Sequence, residues 1–107
     1  MNAALNVYIE KFPINSWSDV EKSDFQVLTW TGSLLEDIFK LSPDQTMQNI
    51  YQNKIKTVPQ ENQLNAIGYR NTVTKLVEGY HIAIDYPESY QSFQEYPCKI
   101  TFIKTLQ

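Results

Sequence analysis

This chain of 107 residues contains one cysteine, one histidine and only three glycines. The lone Cys98 cannot form an internal disulfide, and the paired ligands of a zinc site are missing. Three glycines are too few for phosphate-cradling loops, and no P-loop, dinucleotide fingerprint, nucleophile elbow or HExxH motif occurs. The sequence therefore predicts no metal ion and no cofactor, and a binding protein rather than an enzyme.

Long apolar runs and basic clusters are also absent. No segment approaches the roughly 20 apolar residues of a membrane span, and the first residues, MNAALNVYIEKF, lack the basic region of a signal peptide. The net charge is −3, and the basic residues in the middle of the chain are too sparse for a phosphate-binding surface. We therefore expect a cytoplasmic protein that binds neither membranes nor nucleic acids.

The apolar content is nevertheless sufficient for a hydrophobic core. Hydrophobic residues make up 42% of the chain and aromatic residues 13%, so we predict one domain over residues 1–107. Apolar residues alternate with polar ones in three segments, at residues 5–9, 80–86 and 98–106, which is typical of strands. The β-branched and aromatic residues of segment 25–30 favour a fourth strand, although Val27, Leu28 and Thr31 could also extend a helix.

Helical spacing of apolar residues predicts three helices between the second and third strands, over about residues 34–41, 43–56 and 59–78. Ser33 and Glu36 have the capping-box spacing at the start of the first helix, and Gly79 suits the left-handed position that ends the third. Gly68 lies inside the third helix, where glycine is unfavourable by about 1 kcal/mol. The resulting order, ββαααββ, predicts an α+β fold. We expect an antiparallel sheet of about four strands, with the helices packed on one face.

Residues 86–97, YPESYQSFQEYP, combine aromatic rings with carboxylates between two predicted strands. The aromatic residues of this segment recur near helical spacing: Tyr86, Tyr90, Phe93 and Tyr96. One interpretation is a short helical turn over residues 88–95 that lies on the sheet and completes the core. The other is a binding surface in which tyrosine edges act together with Glu88 and Glu95. Part of the stripe can be core while its hydroxyl groups remain exposed.

A second acidic and aromatic region lies near the start of the chain. Residues 1–41 contain six acidic side chains against three basic ones. Trp17 lies in the polar run NSWSD, and Asp19 follows it closely, so both are candidates for exposure. The predicted partner-binding residues are Trp17, Asp19, Tyr86, Glu88, Tyr90, Phe93, Glu95 and Tyr96.

Three functional hypotheses follow from these patterns. The first is a small acidic protein-binding module, of the immunity-protein, inhibitor, antitoxin or adaptor type, that masks a basic surface of a partner protein. The second is a small enzyme or ligand-binding domain with a cleft near residues 85–97, in which His81, Asp85 or Glu95 has a perturbed pKa. The third is a subunit of a homo-oligomer. A Cys98–His81 nucleophilic pair is disfavoured, because the two residues begin neighbouring strands of a predicted hairpin and would lie at its opposite ends.

Overall fold

The computed structural model of the chain describes residues 4–11, 13–95 and 102–107. Its strands are β1 (Leu5–Ile9), β2 (Gln26–Leu28), β3 (His81–Asp85) and β4 (Phe102–Leu106). Its α-helices are α1 (Trp17–Lys22), α2 (Leu34–Lys40), α3 (Gln45–Ile50), α4 (Leu64–Glu78) and α5 (Tyr90–Gln94). A π-helical turn, Tyr51–Ile55, extends α3, and short 3-10 turns precede α4 and α5. The predicted α+β class is confirmed.

The four strands form one mixed sheet with the order β2-β3-β1-β4. Strand β1 is antiparallel to both β3 and β4, with Val7 opposite Ile84 and Lys104. Strand β2 is parallel to β3, with Val27 opposite Ile82. The prediction of a purely antiparallel sheet is therefore wrong in this detail. Three helices connect β2 to β3, and this long crossover lets the chain return to the same end of the sheet, which a parallel pair requires.

Helices cover both faces of the sheet, whereas the sequence suggests one face. Leu5, Val7 and Ile9 of β1 pack in one core with residues of α1, α2 and α3. Tyr8 of the same strand packs in a second core with residues of α4 and α5. Tyr8 is fully buried, although its alternation with apolar neighbours is typical of a solvent-facing residue. The predicted order ββαααββ counts only the three longer helices. The two short helices α1 and α5 lie where the capping-box spacing of Ser18 and Glu21 and the aromatic spacing of residues 88–95 predict short helical turns.

The helix before β3 differs from its prediction in one respect that shapes the site. The sequence predicts a continuous helix from Pro59, but α4 begins at Leu64 after a 3-10 turn. Gly68 interrupts α4 with φ 80° and ψ 173°, and Gly79 ends it with φ 97°. Both φ values lie where glycine is favoured over residues that carry a Cβ atom. In the described part of the chain, no helix is both long enough and apolar enough to cross a bilayer.

Candidate functional site

The carboxyl ends of β2 and β3 meet at one edge of the sheet because the two strands are parallel. A cavity of about 550 Å³ opens at this edge. It is lined by the residues that follow β2, the kinked part of α4 and the segment after β3: Trp30, Ser33, Leu34, Tyr69, Asp85, Tyr86, Glu88, Ser89 and Ser92. Ligands of open α/β sheets characteristically bind outside the carboxyl ends of strands. We call this cavity the Asp85 cleft.

Asp85, the last residue of β3, is the buried charge of this cleft. Its side chain is 3% exposed. Oδ2 accepts hydrogen bonds from the Trp30 indole Nε1 at 2.8 Å and from the Tyr69 hydroxyl at 3.2 Å. Oδ1 accepts from the Tyr86 backbone N–H at 2.7 Å. Burial raises the pKa of Asp85 above its ordinary value, and these donors oppose that rise by stabilising the carboxylate.

Polar side chains at the start of α4 fix the segment that carries Trp30. The Gln63 side-chain Oε1 accepts from the Thr29 backbone N–H at 2.9 Å, and the Asn65 side-chain Oδ1 accepts from the Thr31 backbone N–H at 3.1 Å. The Ser33 hydroxyl donates to the Trp30 carbonyl oxygen at 2.7 Å. The backbone around Trp30 is thus bonded on both sides, and its indole N–H is held toward Asp85.

Tyr69 follows the kink at Gly68 and completes the aromatic wall. Its ring contacts those of Trp30 and Phe93 edge-on, with centroid distances of 6.1 and 5.0 Å. Burial raises the pKa of the Tyr69 hydroxyl, and the neighbouring Asp85 charge raises it further. Tyr69 therefore stays a neutral hydrogen-bond donor to the carboxylate at neutral pH.

Tyr8 of β1 anchors the segment after β3. Its ring stacks on Phe93 with a centroid distance of 3.9 Å. The Tyr8 hydroxyl lies 2.8 Å from the Ser89 hydroxyl, and Ser89 donates to the Tyr86 carbonyl oxygen at 2.8 Å. Phe93 is 1% exposed, so it belongs to the core and not to a contact surface. The helical turn predicted for residues 88–95 is present as a 3-10 turn, Pro87–Ser89, and α5.

The remaining predicted contact residues are distributed over the molecule. Tyr86 and Glu88 line the Asp85 cleft, while Tyr90, 43% exposed, and the exposed Glu95 lie on the outer side of the same segment. Tyr96 lies outside the described residues.

The two residues from the start of the chain are not part of the cleft. The Trp17 indole contacts Phe39 edge-on at 5.5 Å and donates to the Gln107 carbonyl oxygen at 3.2 Å. Asp19 accepts from the Asn15 backbone N–H at 3.0 Å. It lines a second depression, of about 870 Å³, at the opposite edge of the sheet, where β1 ends and α4 gives way to β3.

Metal-ligating side chains are not brought together in the described ranges. No three side chains of histidine, cysteine, aspartate or glutamate cluster there as metal ligands would. His81 begins β3 and so lies at the end opposite Asp85, with its Nδ1 3.1 Å from the Gly79 carbonyl oxygen. Cys98 lies outside the described residues.

Trp30 and Tyr69 are the site residues that sequence reasoning misses. The apolar neighbours of Trp30 indicate only a core residue, and Tyr69 falls outside the apolar stripe of its helix. In the sequence, Asp85 is only one of three acidic residues near a loop. The parallel pairing of β2 with β3 brings Trp30 to Asp85, and no local pattern reports that pairing.

Comparison with known proteins supports the fold. No protein-family model and no curated protein sequence matches the chain. A similar solved structure is that of a Drosophila muscle GluRIIB complex with glutamate, with a TM-score of 0.68 and 15% sequence identity. The match covers 97% of this chain and 40% of that chain. At this identity the likeness establishes a shared fold, and this chain spans well under half the length of the similar one.

Proposed function

We propose that this chain binds a small, positively charged organic molecule in the Asp85 cleft. The observation that carries the proposal is the buried Asp85 carboxylate at the wall of an open cavity. A carboxylate withdrawn from water is costly unless it is hydrogen-bonded or meets a cation. Asp85 has hydrogen-bond donors, but none of the described residues that line the cleft is a lysine or arginine. A cationic ligand would supply the missing charge.

The size and lining of the cleft agree with a small-molecule ligand. Its volume of about 550 Å³ lies within the range of roughly 300 to 1,000 Å³ that is typical of ligand pockets. Aromatic side chains with a few polar groups are the usual lining of such pockets, and Trp30, Tyr69 and Tyr86 supply the aromatic part here. Glu88, on the exposed side, adds a second negative charge that would attract a cation.

The structural comparison does not bear on the ligand class. The similar Drosophila chain is in complex with glutamate, which carries two carboxylates and one ammonium group and is therefore an anion. Our proposal rests on Asp85 and its surroundings, and the likeness contributes only the fold.

Calorimetric titration of the chain with choline and ethanolamine tests the proposal. We expect at least one of these cations to bind, and Asp85→Asn to weaken its binding by about 2 kcal/mol or more, as for loss of a buried charge partner. Glu95→Gln is the matched control, because it also removes a carboxylate but lies outside the cleft. Failure of both cations to bind would refute the proposal, as would equal weakening by the two substitutions.

A second candidate function is the binding of a basic partner protein. The exposed Tyr90 and Glu95, on the outer side of α5, favour it, since tyrosine and carboxylate side chains suit an interface with a basic surface. An inhibitor, immunity-protein, antitoxin or adaptor role remains a prediction, as do association into a homo-oligomer and a cytoplasmic location.

A further inference from the structure

The hydrogen bonds already made to Asp85 limit the kind of cation that the cleft can accept. A carboxylate offers about four lone-pair sites. Trp30 and Tyr69 occupy both sites of Oδ2, and the Tyr86 backbone N–H occupies one of Oδ1. Most of the hydrogen-bond acceptance of Asp85 is therefore already used by the protein, and one site of Oδ1 is left for a ligand.

A primary ammonium group is poorly suited to such a site. It carries three N–H donors that each need an acceptor, and leaving a buried donor unsatisfied costs about 1 to 3 kcal/mol. Only one site, on Asp85 Oδ1, is left to accept such a donor. A second bond to Asp85 would displace Trp30, Tyr69 or the Tyr86 N–H, which would then lose its own acceptor.

A quaternary ammonium group requires no acceptor. Its charge is spread over alkyl groups, and proteins recognise it by aromatic faces together with a nearby negative charge. Three aromatic side chains, those of Trp30, Tyr69 and Tyr86, line the cavity at which Asp85 lies. The exposed Leu34 at the same cavity adds apolar contact for the alkyl groups.

We infer that the ligand of the Asp85 cleft is a quaternary ammonium compound, recognised by charge and aromatic contact and not by donation of N–H groups to Asp85. This inference rests on the proposed function and specifies its ligand class. Trp30 and Tyr69 then have a double role: they fill the acceptors of Asp85 and they form the walls around the cation.

Three probes of related shape test the inference on the unmodified chain by calorimetric titration. Choline carries a quaternary ammonium, ethanolamine a primary ammonium, and 3,3-dimethyl-1-butanol has the shape of choline without its charge. We expect choline to bind about 10-fold more tightly than either of the others, the size of a desolvated cation–π contribution. Ethanolamine binding as tightly as choline would overturn the inference and leave the proposed function intact. The neutral alcohol binding as tightly as choline, or no probe binding at all, would overturn both.

A conservative substitution tests the acceptor argument separately. Tyr69→Phe keeps the aromatic ring and frees one acceptor site on Asp85 Oδ2. The preference for choline over ethanolamine should therefore fall several-fold, because a primary ammonium gains a hydrogen-bond acceptor. Tyr90→Phe is the matched control, since it removes a hydroxyl outside the cleft, and it should leave the preference unchanged. An unchanged preference in a folded Tyr69→Phe variant would contradict the inference.

Discussion

At the scale of single residues, the pKa of Asp85 makes stability depend on pH. Burial raises this pKa in the folded chain, so the folded state holds the Asp85 proton to higher pH than the unfolded state does. Between the ordinary pKa of aspartate and the raised one, the unfolded state binds fewer protons than the folded state. The free energy of unfolding therefore falls as pH rises through this interval. The stabilisation that the Asp85 proton contributes is fully present below the ordinary pKa of aspartate. Trp30, Tyr69, Ser89 and the Tyr86 backbone N–H act on the Asp85 pKa, and none of them ionises in that interval. The one other carboxylate that lines the cleft, Glu88, is present in both the wild type and the Asp85→Asn variant.

Asp85→Asn should abolish this pH dependence. Urea unfolding of both chains over a pH series would measure it, as the difference in unfolding free energy between wild type and variant. We expect the unfolding free energy of the wild type to fall relative to that of the variant as pH rises through the acid range. A difference that is constant with pH would mean that burial does not perturb Asp85.

The outer side of the segment after β3 carries a prediction for the second candidate function. If a basic protein binds there, Tyr90→Ala should weaken binding by about 1 to 3 kcal/mol, mainly through faster dissociation. Glu95→Lys should slow association, and salt should reduce that effect because exposed charges are screened over about 10 Å at 0.1 M. Binding kinetics with a captured partner would measure both. If both variants bind the partner with wild-type kinetics, this surface is not the binding site.

At the scale of elements, α4 forms the second core and also positions the cleft. Val73 and Leu76 are 2% and 1% exposed and pack with Tyr8 and Phe93. Replacing either by alanine should lower the free energy of unfolding by about 2 to 4 kcal/mol through the lost burial and the cavity left behind. Val77, 41% exposed, is the matched control, and its replacement should cost less than about 1 kcal/mol. Chemical denaturation decides this, and similar losses at all three positions would place the buried face of α4 elsewhere.

The kink at Gly68 gives α4 a second testable property. The Gly68 backbone has φ 80° and ψ 173°, and a side chain there is strained even though no neighbouring atom lies within 4 Å of the position that its Cβ would occupy. Gly68→Ala should therefore destabilise the chain by about 1 to 3 kcal/mol, with loss of the Tyr69–Asp85 hydrogen bond as the helix straightens. Thermal melts would measure the loss. A variant as stable as the wild type would mean that the kink relaxes without strain.

The elements that depend on local pattern could be predicted from the sequence. Alternation predicts three of the strands and residue type favours the fourth, β2, while Ser33 marks the start of α2 and Gly79 marks the end of α4. The mixed sheet could not be predicted, because strand direction depends on the path of the β2–β3 connection and not on residues within either strand. The same limit applies to the cleft, since Trp30 and Asp85 are 55 positions apart in sequence and meet only through that pairing.

At the scale of the whole molecule, β1 and β3 occupy the centre of the sheet, with helices on both sides. Both central strands are almost entirely buried, so their polar residues must bond within the protein or serve a site. Asn6 bonds within the protein, through side-chain hydrogen bonds to the hydroxyls of Tyr8 and Thr105. Asp85 lies where the sheet opens to the cleft, and this position makes it the centre of our account.

The two tryptophans of the chain allow the most direct test of that account. The Trp30 indole N–H donates to Asp85 in the cleft, whereas the Trp17 indole N–H donates to the Gln107 carbonyl oxygen far from it. A choline titration followed by the two indole N–H signals in ¹⁵N-correlated NMR spectra therefore contains its own control. We predict that the Trp30 signal shifts and saturates while the Trp17 signal stays in place. If the Trp30 signal does not move, or if both signals drift together without saturating, the Asp85 cleft is not a cation-binding site.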